Sequence, residues 1–184
     1  MDKKPYELGV IVGRFQSLHA GHEEMIRKAL ALCQQVCVLV GSAQECGTAK
    51  NPFSYELREQ MLRCVFGEAL HIFPLPDIGV GNVSAWGSYV LEKVAAYMGR
   101  QPDILVSAKE SRRISWFDEV QGVSIAELYI PKANPISATQ MRRFFLEDDE
   151  MAWRAQTDPK IWHLYPQMRH QVIASSGNLE TDSM

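Results

Sequence analysis

No apolar run in this 184-residue chain approaches the roughly 20 residues needed to span a bilayer, so no membrane partner is expected. The opening Met1-Asp2-Lys3-Lys4-Pro5 leads into a strand pattern containing Glu7 and lacks a signal-peptide core, so the chain reads as cytoplasmic. Basic residues are not in excess. Nineteen Lys and Arg stand against 22 Asp and Glu, a net charge of −3, which excludes a general nucleic-acid binder but leaves room for a local basic pocket. There are only four cysteines, none in a CxxC pair or at zinc-site spacing, so they read as reduced thiols. Neither the GxxxxGK(S/T) phosphate loop nor the GxGxxG dinucleotide fingerprint occurs. No Ser-His-Asp arrangement or activated cysteine appears either, so a covalent intermediate is not indicated.

What is present is alternation. Leu8–Val12 is a short apolar run ending at Gly13, the pattern of a buried strand. Met25, Ile26, Ala29, Leu30 and Cys33 follow at helical spacing, and Val36–Val40 is a second apolar run. Ser54 caps a helix whose apolar face is Leu57, Met61, Leu62 and Val65. His71–Leu75, Ile104–Val106 and Ile125–Ile130 read as further strands, and the segments around Trp86–Tyr97 and Ser137–Leu146 as helices. The pattern predicts an α/β fold, a Rossmann-like doubly wound parallel sheet with helices on both faces. Ligands of such sheets bind beyond the carboxyl ends of the strands, at the point where strand order switches. Residues 1–150 would form this domain. Residues 151–173, interrupted by Pro159 and Pro166, read as a small C-terminal helical extension, and 174–184 as a tail with almost nothing to bury.

Residues 12–26, VGRFQSLHAGHEEMI, gather unusual chemistry at one strand-to-helix junction. Gly13 allows a tight turn and Gly21 a close approach at the helix start. The N–H groups and dipole of that helix end favour an anion. Arg14 adds a planar, permanent charge that can grip phosphate at two points, and His19 and His22 offer N–H donors. The physical reading is a polyphosphate cradle. Taken alone, either histidine also fits a core or capping role, or an HxxH metal pair. Zinc wants further ligands at compact spacing, and no cysteine or third histidine lies close by, so no protein-held metal is expected.

A second constellation is ISATQMR, Ile136–Arg142. Ser137 and Gln140 form a capping box, so a helix starts there. Its N–H groups, the Ser137 and Thr139 hydroxyls and the Arg142 guanidinium can converge on phosphate. An ordinary capped helix with exposed arginines is the other reading of this segment by itself.

GRFQSLHAGH resembles the GRFQPxHxGH signature of the HxGH nucleotidyltransferases, and ISATQMR resembles their second signature, ISSTxxR. GSAQECGTAKNPFSYELREQML and FPLPDIGVGNVSAW are similar to the GSAQ…NPF segment and the IPVxDI…N…W loop of the archaeal-type nicotinamide-mononucleotide adenylyltransferases. The likeness covers about residues 8–150. It implies adenylyl transfer from ATP to nicotinamide mononucleotide, giving NAD and pyrophosphate, with Mg²⁺ carried in by ATP. Another phosphorylated acceptor (nicotinic acid mononucleotide, FMN or phosphopantetheine), or a sensing module without turnover, stays open. The resemblance implies catalytic roles for His19, His22 and Arg142, and ATP contacts from Gly13, Arg14, Phe15, Gly21, Ser137 and Thr139. It places Gln16, Lys50, Asn82 and Trp86 at the acceptor nucleotide, with Asp77 shaping their loop. It also implies a homo-oligomer. The chain departs from the pattern at Ser17, Gly47 and Ala138, and has Ser107–Ser111, SAKES, where the family has an adenine-contacting turn.

Overall fold

The computed structural model describes residues 3–79, 83–108, 116–117, 120, 122–131 and 136–177. Among these, five strands form one sheet: Tyr6–Gly13 (β1), Cys33–Gly41 (β2), His71–Leu75 (β3), Ile104–Ser107 (β4) and Ala126–Tyr129 (β5). Their order is β3-β2-β1-β4-β5 and every neighbouring pair is parallel. The helices are Ala20–Leu32 (α1), Tyr55–Phe66 (α2), Val83–Met98 (α3), Ala138–Leu146 (α4), Glu150–Arg154 (α5) and Tyr165–Gly177 (α6). Short 3₁₀ turns cover Gly67–Ala69 and Pro159–Leu164. No helix among the described residues is long and apolar enough to cross a membrane.

The strands are apolar on both faces because both faces are covered. Side chains alternate across the sheet with a period of two. Ile11, Val36, Val38, Val40, Ile104 and Val106 join one core, while Leu8, Val10, Cys37, Leu39 and Leu105 join the other. The first core takes in α1, α2 and the C-terminal helices, and the second takes in α3 and Phe117. The chain lays β1, β2 and β3 outward in one direction and then returns to place β4 on the far side of β1. The switch point therefore lies between the carboxyl ends of β1 and β4.

Among the boundaries that differ from the sequence pattern, two have a visible cause. β2 starts at Cys33, directly after α1, because Cys33 is already extended at φ −116° and fits over Gly9 of β1. A β-carbon at Gly9 would lie 2.5 Å from the Cys33 sulfur. Burial pushes the Cys33 and Cys37 thiols up to about 11 and about 12, so both stay protonated. The second difference is α6, which runs to Gly177 rather than stopping near residue 173. Ser175 and Ser176 donate their hydroxyls to the Gln171 and Val172 carbonyls one turn back. Residues 178–184 of the expected tail lie outside the described residues. Neither proline breaks a helix: Pro159 opens a 3₁₀ turn capped by Asp158, and Pro166 falls in the first turn of α6, where a missing N–H costs nothing.

The extension completes the main core. Trp153 is fully buried, with its ring 5.7 Å from that of Phe145 and 5.2 Å from that of Tyr165. It also reaches the head of α1. The Ala20 N–H donates to the Gln156 carbonyl at 2.8 Å, and the Asp158 N–H donates to Glu23 Oε1 at 3.1 Å.

Candidate active site

β1 ends at Gly13, and Arg14 follows it at the switch point. Phe15 then takes the left-handed conformation, φ 52°, and turns its ring into the core. A β-carbon on Gly13 would lie 3.0 Å from that ring, so a larger residue there would press on the Phe15 ring. His19 is the N-cap of α1, and its Nδ1 accepts the Gly21 N–H at 3.2 Å. As an acceptor Nδ1 carries no proton, which leaves the ring N–H at Nε2. A β-carbon at Gly21 would come within 3.2 Å of the His19 ring, which explains the glycine between the histidines. The His22 ring lies against His19, tilted by 31° with centroids 3.9 Å apart, and Phe15 supports it at 4.9 Å.

α4 arrives from the far end of the sheet domain. Ser137 caps it, with Oγ accepting the Gln140 N–H at 3.2 Å. Arg142 is half-buried and reaches the cavity walled by His19, His22 and Arg14. Burial, and then the like charge of Arg14, lower the Arg142 pKa from its ordinary value. The cavity holds about 170 Å³. A neighbouring cavity of about 330 Å³ is walled by Lys50, Asp77, Trp86 and Trp116. Val12, Gly13, Arg14 and Ser107 belong to both, so the two meet at the mouth of β1 and β4.

The second cavity is held from several sides. Trp86 packs at 5.5 Å against Tyr89 and edge-on at 6.2 Å to Trp116. Tyr89 donates its hydroxyl to the Pro76 carbonyl, and Gln44 Oε1 accepts the Asp77 N–H at 3.0 Å, which pins the loop after β3. Gly87 lies so close to this wall that a β-carbon would sit 1.9 Å from the Trp116 carbonyl oxygen. Asn51 is buried. Its Oδ1 accepts from Arg14 Nη1 at 3.3 Å, and its amide donates to the Glu45 carboxylate.

Several expected contacts are thus brought together: Gly13, Arg14, Phe15, Gly21, His19, His22 and Arg142 at one cavity, Lys50 and Trp86 at the other. Two of the expected residues are also held by protein partners. Gln16 lines the first cavity beside His19 and His22. It is buried, with Nε2 donating to the Phe53 carbonyl at 3.1 Å and Oε1 accepting the Phe53 N–H at 2.9 Å, and so ties the 51–53 loop to β1. Thr139 is exposed, and its Oγ1 accepts from Arg142 Nη2 at 3.2 Å, so it steadies the arginine instead of lining the cavity. Asn82, and Lys109–Ser111 of the expected adenine turn, lie outside the described residues. Among the described residues no three His, Cys, Asp or Glu side chains converge to hold a metal.

Sequence reasoning missed Asn51, Trp116 and Arg58. Asn51 sits within the quoted NPF triplet, and its place directly after Lys50 was the available signal. Arg58 carried a plainer one, a charge beside Leu57 on the apolar stripe of α2. Burial lowers the Arg58 pKa from its ordinary value.

The cytidylyltransferase-like family model matches residues 10–144. The nicotinamide-nucleotide adenylyltransferase of Aeropyrum pernix is 30% identical over 83% of this chain and 86% of its own. That of Pyrococcus horikoshii is 31% identical over 73% of this chain and 70% of its own. A bifunctional NMN adenylyltransferase/ADP ribose pyrophosphatase from Francisella tularensis has the same fold, with a TM-score of 0.76 at 23% identity. The match covers 95% of this chain and 54% of that one, so this chain spans about half its length. The Francisella protein has also been solved with AMP and a manganese ion. The chain belongs to the cytidylyltransferase-like family, as a relative of the archaeal nicotinamide-nucleotide adenylyltransferases.

Proposed function

We propose that this protein joins ATP and nicotinamide mononucleotide, giving NAD and pyrophosphate. One observation carries the reading. Two cavities of different character share Arg14 at their junction, one ringed by imidazoles and arginines and the other walled by tryptophans. The first suits a polyphosphate, the second a flat ring on a charged nucleotide.

The chemistry needs no general base. The acceptor phosphate is already an anion at neutral pH. It attacks the α-phosphorus of ATP in line, a P–O bond forms on one side, and the bond to the β-phosphate oxygen breaks on the other. Pyrophosphate leaves with that electron pair. Catalysis is then positioning and stabilisation of charge that spreads over the phosphate oxygens. His22 sits nearest the α-phosphate and leaving oxygen, while His19, fixed by the Gly21 N–H, and Arg142, steadied by Thr139, hold the β and γ groups. Ser137 shapes the same helix end. Arg14 stands between donor and acceptor. Lys50 reaches the acceptor phosphate, and the Trp86 face stacks on the pyridine ring, a contact worth about 1 kcal/mol. Asn82 is assigned to the carboxamide. Mg²⁺ rides on the ATP phosphates and screens their charge, held there mainly by phosphate and water oxygens.

The test is pyrophosphate release from ATP and Mg²⁺ with a panel of nicotinamide mononucleotide, nicotinic acid mononucleotide, FMN and phosphopantetheine. Release that requires nicotinamide mononucleotide and matches NAD formation supports the reading. Tight ATP binding without release, or faster release with a non-pyridine acceptor, overturns it.

A further inference from the structure

We infer that Arg58 is a positioning residue for this transfer, setting the shape of the acceptor cavity from behind its wall. Its guanidinium is 0% exposed. It donates from Nε to the Ser54 carbonyl at 3.1 Å, and from Nη1 to the carbonyls of Arg14 at 3.1 Å and Gly41 at 2.7 Å. Nη2 donates to the Ser42 carbonyl at 3.1 Å. These bonds have a pattern. The Arg14 carbonyl belongs to the peptide unit just before Phe15, and the Gly41 carbonyl to the unit just before Ser42. Phe15 and Ser42 are left-handed without being glycine, at φ 52° and 49°. Such conformations persist only where the surroundings over-determine them. One guanidinium therefore grips the peptide ahead of each strained turn, at the carboxyl ends of β1 and β2.

Those two turns carry the acceptor side. Gly41, Ser42 and Arg14 all wall the larger cavity. The stem of Arg14 runs over Gly41, where a β-carbon would lie 3.7 Å from Arg14 Cγ. A planar fork of donors can span four carbonyls on three segments. A lysine ammonium keeps the charge but cannot reach them all. Two of the four carbonyls, those of Gly41 and Ser42, belong to the turn that walls the acceptor cavity and not the first one, so the loss of Arg58 falls on the acceptor before it falls on ATP.

The inference rests on the adenylyltransferase reading for its kinetic readout. Arg58→Lys is compared with the parent by thermal melting, by KM for nicotinamide mononucleotide and for ATP, and by tryptophan-fluorescence titration with nicotinamide mononucleotide alone. The expected result is a folded variant whose acceptor KM rises about tenfold or more while the ATP KM stays near parental, the scale on which small misplacements of substrate-holding groups show. Ser42→Gly in the Arg58→Lys background, where glycine accepts the left-handed turn freely, is expected to recover part of the loss. A purely structural arginine would instead lower the melting temperature and leave both KM values unchanged in the folded fraction. That result, or failure of both variants to fold, overturns the inference. If the parent itself releases no pyrophosphate with any acceptor, the functional reading fails separately. The titration then decides Arg58 alone: weaker binding in Arg58→Lys upholds it, and parental binding overturns it.

Discussion

Arg14 and Arg142 wall the same cavity although one follows the first strand and the other lies on a helix beyond the fifth. Burial and the nearby charge of Arg14 both act against the charged form of Arg142. Two like charges set together in a partly desolvated cleft repel, and an anion between them turns that cost into attraction. The adjoining imidazoles of His19 and His22 complete the ring on the α1 side. A perturbed cation such as Arg142 facing a cleft marks a candidate functional site.

His22→Ala is expected to lower kcat by about 10²-fold or more, as for removal of one charge-stabilising donor. Its ring is only half-buried, so the melting temperature is expected to stay near parental. Steady-state pyrophosphate release and a melting curve check both parts. Near-parental turnover removes the assigned role.

Trp86→Ala is expected to raise KM for the acceptor and leave KM for ATP little changed. Gly87→Ala reaches the same wall by another route, since the added methyl collides with the Trp116 carbonyl. It is expected to cost about 1–3 kcal/mol of stability through overpacking, and to raise the acceptor KM as Trp116 is pushed aside. A rise confined to ATP would place the acceptor elsewhere.

Gln16→Ala separates a role in the fold from a role at the ligand. It strips both hydrogen bonds from the buried Phe53 backbone. Each unmade bond of this kind costs about 1–3 kcal/mol, so denaturant unfolding is expected to show a clear loss. A stable variant with a raised acceptor KM would place the role of Gln16 at the ligand.

Glu23 supplies a pH-dependent test of the brace between α1 and the C-terminal extension. Burial raises its carboxyl pKa above 4.5, partly offset by the hydrogen bond from the Asp158 N–H. A carboxyl with a higher pKa folded than unfolded favours folding when protonated. That contribution is complete below the unfolded pKa and is lost as pH rises through the folded one. Glu23→Gln stays neutral and can still accept from Asp158. Its melting temperature relative to the parent is therefore expected to rise between about pH 4 and pH 7. A relative fall over that range would mean that the carboxylate, through Arg27, is a net stabiliser.

The parallel sheet was legible because each strand is a short apolar run bounded by turn residues, and His71–Leu75 matches the observed β3 residue for residue. The grouping of Gly13, Gly21, His19 and His22 at one cavity was legible because they are local to one junction, where spacing alone fixes their relations. The Ser137 cap of α4 was legible for the same reason. What sequence reading missed is contact across the fold. Gln16 holds the Phe53 backbone, and Arg58 holds four carbonyls from three segments, relations that no local spacing shows. Trp116 joins the wall of the second cavity only because Gly87 lets it approach. The extension carried weak signals because its prolines suggest breaks, whereas in the fold they start turns.

The most direct test of a single shared phosphate site is a double-mutant cycle on kcat/KM for ATP with His22→Ala, Arg142→Ala and the pair. If both groups act on one bound triphosphate, the double variant is expected to lose little more than the worse single one, because groups that work as a unit are strongly non-additive. Losses that multiply as if independent, or an Arg142→Ala enzyme as active as the parent, would contradict the account.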